Sequence, residues 1–194
     1  MKRQEIIQLL IDKNQYKSYL EIGVASPDST FNQIKIKNKT SVDPRKDYEY
    51  TYNLTSDEFF SINTDRFDIV FIDGLHERTQ VYKDINNSLA ILNEGGTIVC
   101  HDMSPPNEIC QIVPQQVGEW CGDCWKAWVQ LRMLSSNLEM YVIDTDYGVG
   151  IIKRGIQKTL PLITDFTWKG FEINRNKWLN LISVKEFEDI FSNC

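Results

Sequence analysis

The sequence predicts a doubly wound α/β domain, a mostly parallel sheet with helices on both faces. Two short runs, residues 67–72 and 95–100, are β-branched or aromatic and apolar on both faces, which suits strands buried inside a parallel sheet. Such runs alternate with helical apolar spacing, as in Val81, Ile85, Leu89 and Leu92. Both runs end in ionisable groups, Asp73 and His76 after the first and His101 and Asp102 after the second. Ligands of open α/β sheets bind at the carboxyl ends of strands. These four residues, which include both histidines of the chain, are therefore candidates for one shared site.

Residues 1–17 read as an amphipathic first helix, because Gln8 interrupts an apolar stretch too short for a signal peptide. Residues 18–22 form the first strand, and Gly23-Val24-Ala25 a turn. Ser26 before Pro27 fits an N-cap with proline in the first helical position, predicting a helix to about Ile34. Residues 40–42 are a second strand ending at Asp43-Pro44, and residues 50–54 a third. Thr55-Ser56-Asp57-Glu58 opens a helix with capping residues. A fourth strand (67–72), a helix (78–92), the Asn93-Glu94-Gly95-Gly96 turn and a fifth strand follow. Residues 103–118, with three prolines, form a long loop of the kind that covers or shapes a binding site. A helix over 119–135, an antiparallel hairpin of residues 138–143 and 148–153, and an aromatic helical tail (155–194) complete one domain spanning 1–194.

Bulk properties narrow the function. A chain of 194 residues with 42% apolar and 25% charged residues buries a full core. A formal charge of -6 argues against nucleic acid or an anionic membrane as partner; Lys35, Lys37 and Lys39 read as a solvated face. No stretch is long or apolar enough to span a bilayer, so a cytoplasmic location is the expectation. Five irregularly spaced cysteines imply no disulfide framework, and Cys121-Gly122-Asp123-Cys124 lacks the second pair of a zinc site.

Glu21-Ile22-Gly23-Val24-Ala25 at the first strand–helix turn, with Asp43 ending the next strand, is a nucleoside-binding arrangement. Glycine allows close backbone approach, and a carboxylate at the second strand end can accept both ribose hydroxyls. The GxGxxG pattern of dinucleotide sites is missing, and Asp28 stands where a pyrophosphate would bind. A nucleoside ligand without phosphates fits better.

The succession Tyr19-Leu20-Glu21-Ile22-Gly23-Val24, Ser41-Val42-Asp43-Pro44, Phe71-Ile72-Asp73-Gly74 and Gly95-Gly96-Thr97-Ile98-Val99-Cys100-His101-Asp102 resembles class I S-adenosylmethionine-dependent methyltransferases. Within them it is similar to the macrocin-type branch of sugar and antibiotic O-methyltransferases. The resemblance implies a Rossmann-like seven-stranded sheet of order 3-2-1-4-5-7-6, its last strand antiparallel. It implies a cofactor site of Glu21, Gly23, Ala25, Asp43, Ser56, Asp57 and Asp73, in which Glu21 and Gly23 line the methionine end, Asp43 holds the ribose and Ser56 and Asp57 lie near the adenine. The chain departs from the family in carrying Ala25 and Pro27 in a loop usually richer in glycine.

Methylating a hydroxyl requires aligning the acceptor and removing its proton, which a divalent metal on the acceptor oxygen assists. Metal-dependent relatives place one carboxylate after the fourth strand and two adjacent ligands after the fifth. Asp73, His101 and Asp102 match those positions, and His76 matches a general base of related sugar methyltransferases, acting with Asp73. An imidazole at His101 disfavours magnesium, which prefers oxygen ligands, and leaves room for manganese, iron or zinc. Trp125 and Trp128 share a helix face and read as core.

The resulting expectation is an S-adenosylmethionine-dependent O-methyltransferase, metal-assisted, acting on a small polar acceptor such as a sugar or glycosylated metabolite. Two alternatives stand beside it: a non-haem metal-dependent hydroxylase, and a non-catalytic cofactor- or partner-binding module. The acceptor, the metal (magnesium or manganese) and the oligomeric state, including a homo-oligomer, stay open on the sequence.

Overall fold

A computed structural model describes residues 1–192; the last two residues of the expected tail lie outside it. Helix α1 (Arg3–Asn14) leads into β1 (Ser18–Ile22) and β2 (Asn38–Val42). Then come α2 (Ser56–Ile62), β3 (Phe67–Ile72), α3 (Arg78–Ile91), β4 (Leu92–Cys100) and α4 (Cys124–Leu134). The hairpin β5 (Leu138–Ile143) and β6 (Val149–Arg154) precedes α5 (Trp168–Leu179), β7 (Leu181–Ile182) and α6 (Val184–Ser192).

One seven-stranded sheet has the order β2-β1-β3-β4-β6-β5-β7, with β6 antiparallel to both of its neighbours. The expected Rossmann-like, doubly wound sheet is present, with a different strand at each edge. Residues 50–54 join β2 through a single parallel bridge, Val42 to Tyr52. There the hydroxyls of Ser41 and Thr51 take up main-chain amides, so side chains replace part of the ladder. At the opposite edge β7 pairs with β5.

Strand alternation divides the core between the two faces. Leu20, Ile22, Val70, Ile72, Ile98 and Ile152 point toward α2–α5, while Tyr19, Ile69, Phe71, Val99 and Ile151 point toward α1 and α6. Trp125 and Trp128 are fully buried, as their helical spacing implies. Trp125 packs against Phe171 at 4.3 Å and against Trp178 at 6.0 Å between ring centroids, which fastens α5 to α4. Among the described residues no helix is long and apolar enough to cross a membrane, and Cys100, Cys110, Cys121 and Cys124 are buried free thiols.

The helix expected from Ser26 to Ile34 does not form. The segment contains turns and one 3-10 turn, Phe31–Gln33. Its polar side chains bond locally instead, Asn32 to the Asp28 carboxylate and Gln33 to the Asp28 and Ser29 carbonyls. Such bonds compete with helical ones. The helix expected over 119–135 begins only at Cys124, because Gly122 adopts φ +58° and lies against the His76 carbonyl.

Truncating Phe171 to alanine empties the space beside Trp125 and should cost about 3–5 kcal/mol. Urea unfolding of Phe171→Ala measures it; a loss below about 1 kcal/mol would show that α5 adds little to the core.

Candidate functional site

The parallel strands end together because their ladder continues one residue further. The Gly23 amide donates to Val42 O (2.9 Å), Asp73 to Ile22 O (2.8 Å) and His101 to Ile72 O (3.0 Å). Gly23, Asp43, Asp73 and His101 thereby stand side by side at the carboxyl edge. Gly23 has φ +82°, and a Cβ there would lie 2.3 Å from Asp73 O, so only glycine allows the two strand ends to meet. Ala25 also lies in the left-handed region (φ 51°), where a non-glycine residue is strained. Its amide donates to Asp43 Oδ2 (2.8 Å), and its carbonyl accepts from the Tyr50 hydroxyl. The other Asp43 oxygen accepts the Arg45 amide (2.9 Å). Asp43 thus organises the loop it faces.

Three cavities adjoin along this edge. The largest, about 440 Å³, has apolar walls of Ile22, Val42, Leu54 and Leu75 and polar groups from Asp43, Ser56, Asp57 and Gln80. The second, about 350 Å³, is lined by Glu21, Ser29, Thr30, Arg3 and Arg45. The third, about 210 Å³, is lined by His76, His101, Asp102, Glu119, Trp120 and Tyr147. Asp73 borders all three. The seven expected cofactor residues are distributed over the first two cavities, and His76, His101 and Asp102 lie in the third.

His76 Nε2 lies 3.2 Å from Asp73 Oδ1, and Nδ1 lies 3.0 Å from Trp120 O and 3.3 Å from Asp102 Oδ2. Its ring stacks on Trp120 at 5.4 Å. The segment carrying Trp120 is held against His76 at Gly122, and Asp123 Oδ1 accepts the Arg78 amide (2.6 Å) at the start of α3. Burial disfavours the charged imidazole, but Asp73 and Asp102 outweigh it and raise the His76 pKa, making it a stronger proton acceptor.

His101 is buried, with Nδ1 3.4 Å from Asp73 Oδ1 and 3.1 Å from Asp102 Oδ2, and Nε2 3.7 Å from Asp146 Oδ2. Burial again opposes charge, and the three carboxylates overcome it, Asp73 most, so the pKa rises well above the ordinary histidine value. Asp73 shows the converse. Burial alone would raise it, yet His101 and His76 hold it well below the usual carboxylate range. Glu21 has no cation within bonding distance. Burial pushes its pKa up to about 8 against the lowering effect of the Tyr19 hydroxyl that it accepts.

Asp73, His76 and Asp102 each offer one ligand atom, all within 4.8 Å of one another. This donor set fits a resident magnesium ion poorly, because one of its three donors is an imidazole where magnesium prefers oxygen. The ion would also have to take His76 as a ligand rather than leave it as a base. The set has one imidazole where the facial triad of non-haem iron oxygenases has two. Sequence reasoning missed Arg3, Trp120, Tyr147 and Asp146. The signal for Arg3 was its position in the first turn of a helix, where the dipole disfavours a cation unless carboxylates face it.

Residues 39–103, a third of the chain, match the Methyltransf_24 family model, described as a methyltransferase domain. No curated protein sequence matches the chain. Among solved structures it is similar to the O-methyltransferase TomG of Streptomyces achromogenes, which is involved in tomaymycin synthesis and was solved with S-adenosylmethionine. The TM-score is 0.58 at 12% identity, covering 78% of this chain and 79% of that one. An O-methyltransferase of Bacillus cereus in complex with S-adenosylhomocysteine gives 0.55 at 12% identity, over 79% and 80%. The methyltransferase MycE of the mycinamycin pathway, in complex with magnesium and S-adenosylhomocysteine, gives 0.51 at 16% identity, over 88% of this chain and 54% of that one. The chain shares their fold, and its match to the methyltransferase-domain model is confined to residues 39–103.

Glu21 supplies a pH test. Its folded pKa of about 8 exceeds the ordinary 4.5, so between those values the folded protein binds a proton that the unfolded chain has released. Its contribution to stability is present below about pH 4.5 and is lost as pH rises toward 8, by at most about 1.4 kcal/mol per pH unit. Glu21→Gln removes this slope. Urea unfolding of both proteins between about pH 5 and 8 measures the difference, and parallel profiles would refute the assignment.

Proposed function

We propose that the chain is an S-adenosylmethionine-dependent O-methyltransferase acting on a hydroxyl of a small polar acceptor, for which a sugar or glycosylated metabolite is the best candidate. The observation that carries this reading is Asp73 on the border of all three cavities, with His76 beside it.

The largest cavity has a size and apolar walls that suit a purine, with Ser56, Asp57 and Gln80 able to offer edge contacts and Asp43 at the expected ribose position. The second cavity takes the amino-acid end, where Arg3 or Arg45 can meet a carboxylate and Glu21 an ammonium. Bound there, S-adenosylmethionine supplies an activated methyl group on a sulfonium. The protein's own task is to present the acceptor oxygen in line and to accept its proton.

Arg3, Asp73, His76 and Trp120 line both the second and third cavities. The methyl group therefore crosses at these four residues, and the acceptor occupies the third cavity. As the oxygen–carbon bond forms and the sulfur–carbon bond breaks, the hydroxyl proton passes to Nε2 of the neutral His76 ring, whose Nδ1–H donates to Trp120 O and whose resulting imidazolium Asp73 and Asp102 stabilise. Trp120 and Tyr147 offer aromatic faces and Glu119 a carboxylate acceptor, a combination suited to the apolar face and hydroxyl edge of a sugar.

Isothermal titration of S-adenosylmethionine and S-adenosylhomocysteine tests the cofactor. Micromolar binding of both is expected, weakened by about 100-fold or more in Asp43→Ala, which loses the ribose contact and the loop anchor together. No binding to the folded wild type would sink the reading. Since an ammonium near Glu21 favours its ionised form, binding near pH 7 should release protons, seen as a dependence of the apparent enthalpy on buffer. Glu21→Gln should abolish that release.

A further inference from the structure

We propose that Arg3 is the resident cation of this site and that methyl transfer proceeds here without a divalent ion. The inference rests on the methyl-transfer reading above. Arg3 opens α1, where the helix dipole repels a guanidinium. It is nevertheless turned into the site, with Nη1 3.5 Å from Asp73 Oδ2 and Nε 3.6 Å from Asp146 Oδ2. Its amide also donates to Asp146 (2.9 Å), and its guanidinium lies beside the His101 ring, so the two cations share the Asp73 and Asp146 carboxylates. The turn between β5 and β6 holds the segment in place, since the Thr145 hydroxyl donates to Met1 O (2.7 Å).

These contacts change what the acidic cluster can do. Asp73 and Asp102, with His76, bring together donor atoms that could hold a cation if no positive charge stood beside them. Here one oxygen of Asp73 faces the Arg3 guanidinium, and the His101 ring spans Asp73 and Asp102. A dication entering between Asp73, His76 and Asp102 would come within a few ångströms of that fixed charge, where repulsion is only partly screened. Arg3 also borders both cavities between which the methyl group passes. It can therefore stabilise the oxygen anion that develops as the acceptor loses its proton, the electrostatic task that cations of either kind perform.

Titrating Mn²⁺ into wild type, Arg3→Met and Arg3→Gln, read by calorimetry and by the loss of the free-ion paramagnetic resonance signal, tests the proposal. Wild type should bind no tighter than about millimolar, and both variants should gain one site of roughly tenfold or higher affinity. Adding Asp73→Asn to Arg3→Met should take that gain away. Circular dichroism confirms that each variant is folded, and the glutamine form serves if the methionine form is not. Micromolar Mn²⁺ binding by wild type, unchanged affinity in the folded Arg3 variants, or a gain that survives Asp73→Asn would each overturn the proposal. Titrating S-adenosylhomocysteine into the same proteins reads the cofactor assignment separately. A gained Mn²⁺ site without cofactor binding would uphold Arg3 and remove the methyl-transfer reading.

Discussion

The constraint on which the site depends is the burial of negative charge at the end of β3. Asp73 sits where the ends of β1, β3 and β4 meet and the cavities join, so its carboxylate is both central and largely withdrawn from water. A carboxylate in that position must be neutralised or protonated. The chain brings His76 from just beyond β3, His101 from the end of β4 and Arg3 from α1 to the same group. Elements distant in sequence are thus tied to one charge. Asp146, in the turn after β5, balances the cations on the outer side, and Arg3 with His101 holds its pKa down to about 2 against the effect of burial.

The same neutralisation fixes the wall of the acceptor cavity. His76 can lie between Asp73 and Asp102 only if its backbone is held, and the 120–123 segment does that. Gly122 fills the space against the His76 carbonyl, and the Asp123 amide donates to that same carbonyl at 3.3 Å. The residues that reach the third cavity are consequently Glu119, Trp120 and Cys121, just beyond the 103–118 loop that the sequence marks as a lid. Cys121 lies in that wall as a protonated thiol, since burial and the nearby Asp102 carboxylate raise its pKa far above the ordinary value.

Much of this was legible in the chain because it depends on local pattern. Residues 18–22 and 67–72 form strands at the predicted positions, and Asp73, His76, His101 and Asp102 converge because the carboxyl ends of parallel strands must. What was not legible depends on long-range or competing contacts. Nothing near Arg3 in sequence shows that the turn after β5 will hold it. Ser26-Pro27 carries a helix-start pattern, but whether Asp28 and Asn32 bond to each other rather than support a helix is settled by the surrounding fold. Residues 50–54 have strand composition, yet Ser41 and Thr51 hydroxyls stand in for part of the ladder.

Glu21 and Asp73 show why site residues of one chemical type need separate arguments. Both are carboxylates at neighbouring strand ends, and both are desolvated. Asp73 has imidazoles and a guanidinium within 3.2 to 3.5 Å, so attraction exceeds the cost of burial and it stays ionised. Glu21 has only the Tyr19 hydroxyl within bonding distance, and Arg3 acts on it as a weaker, longer-range influence, so desolvation prevails and it holds its proton. One environment suits a group that stabilises a developing imidazolium. The other suits a group that ionises when a cation arrives beside it. Opposite shifts in adjacent carboxylates separate two roles that the residue type alone leaves merged.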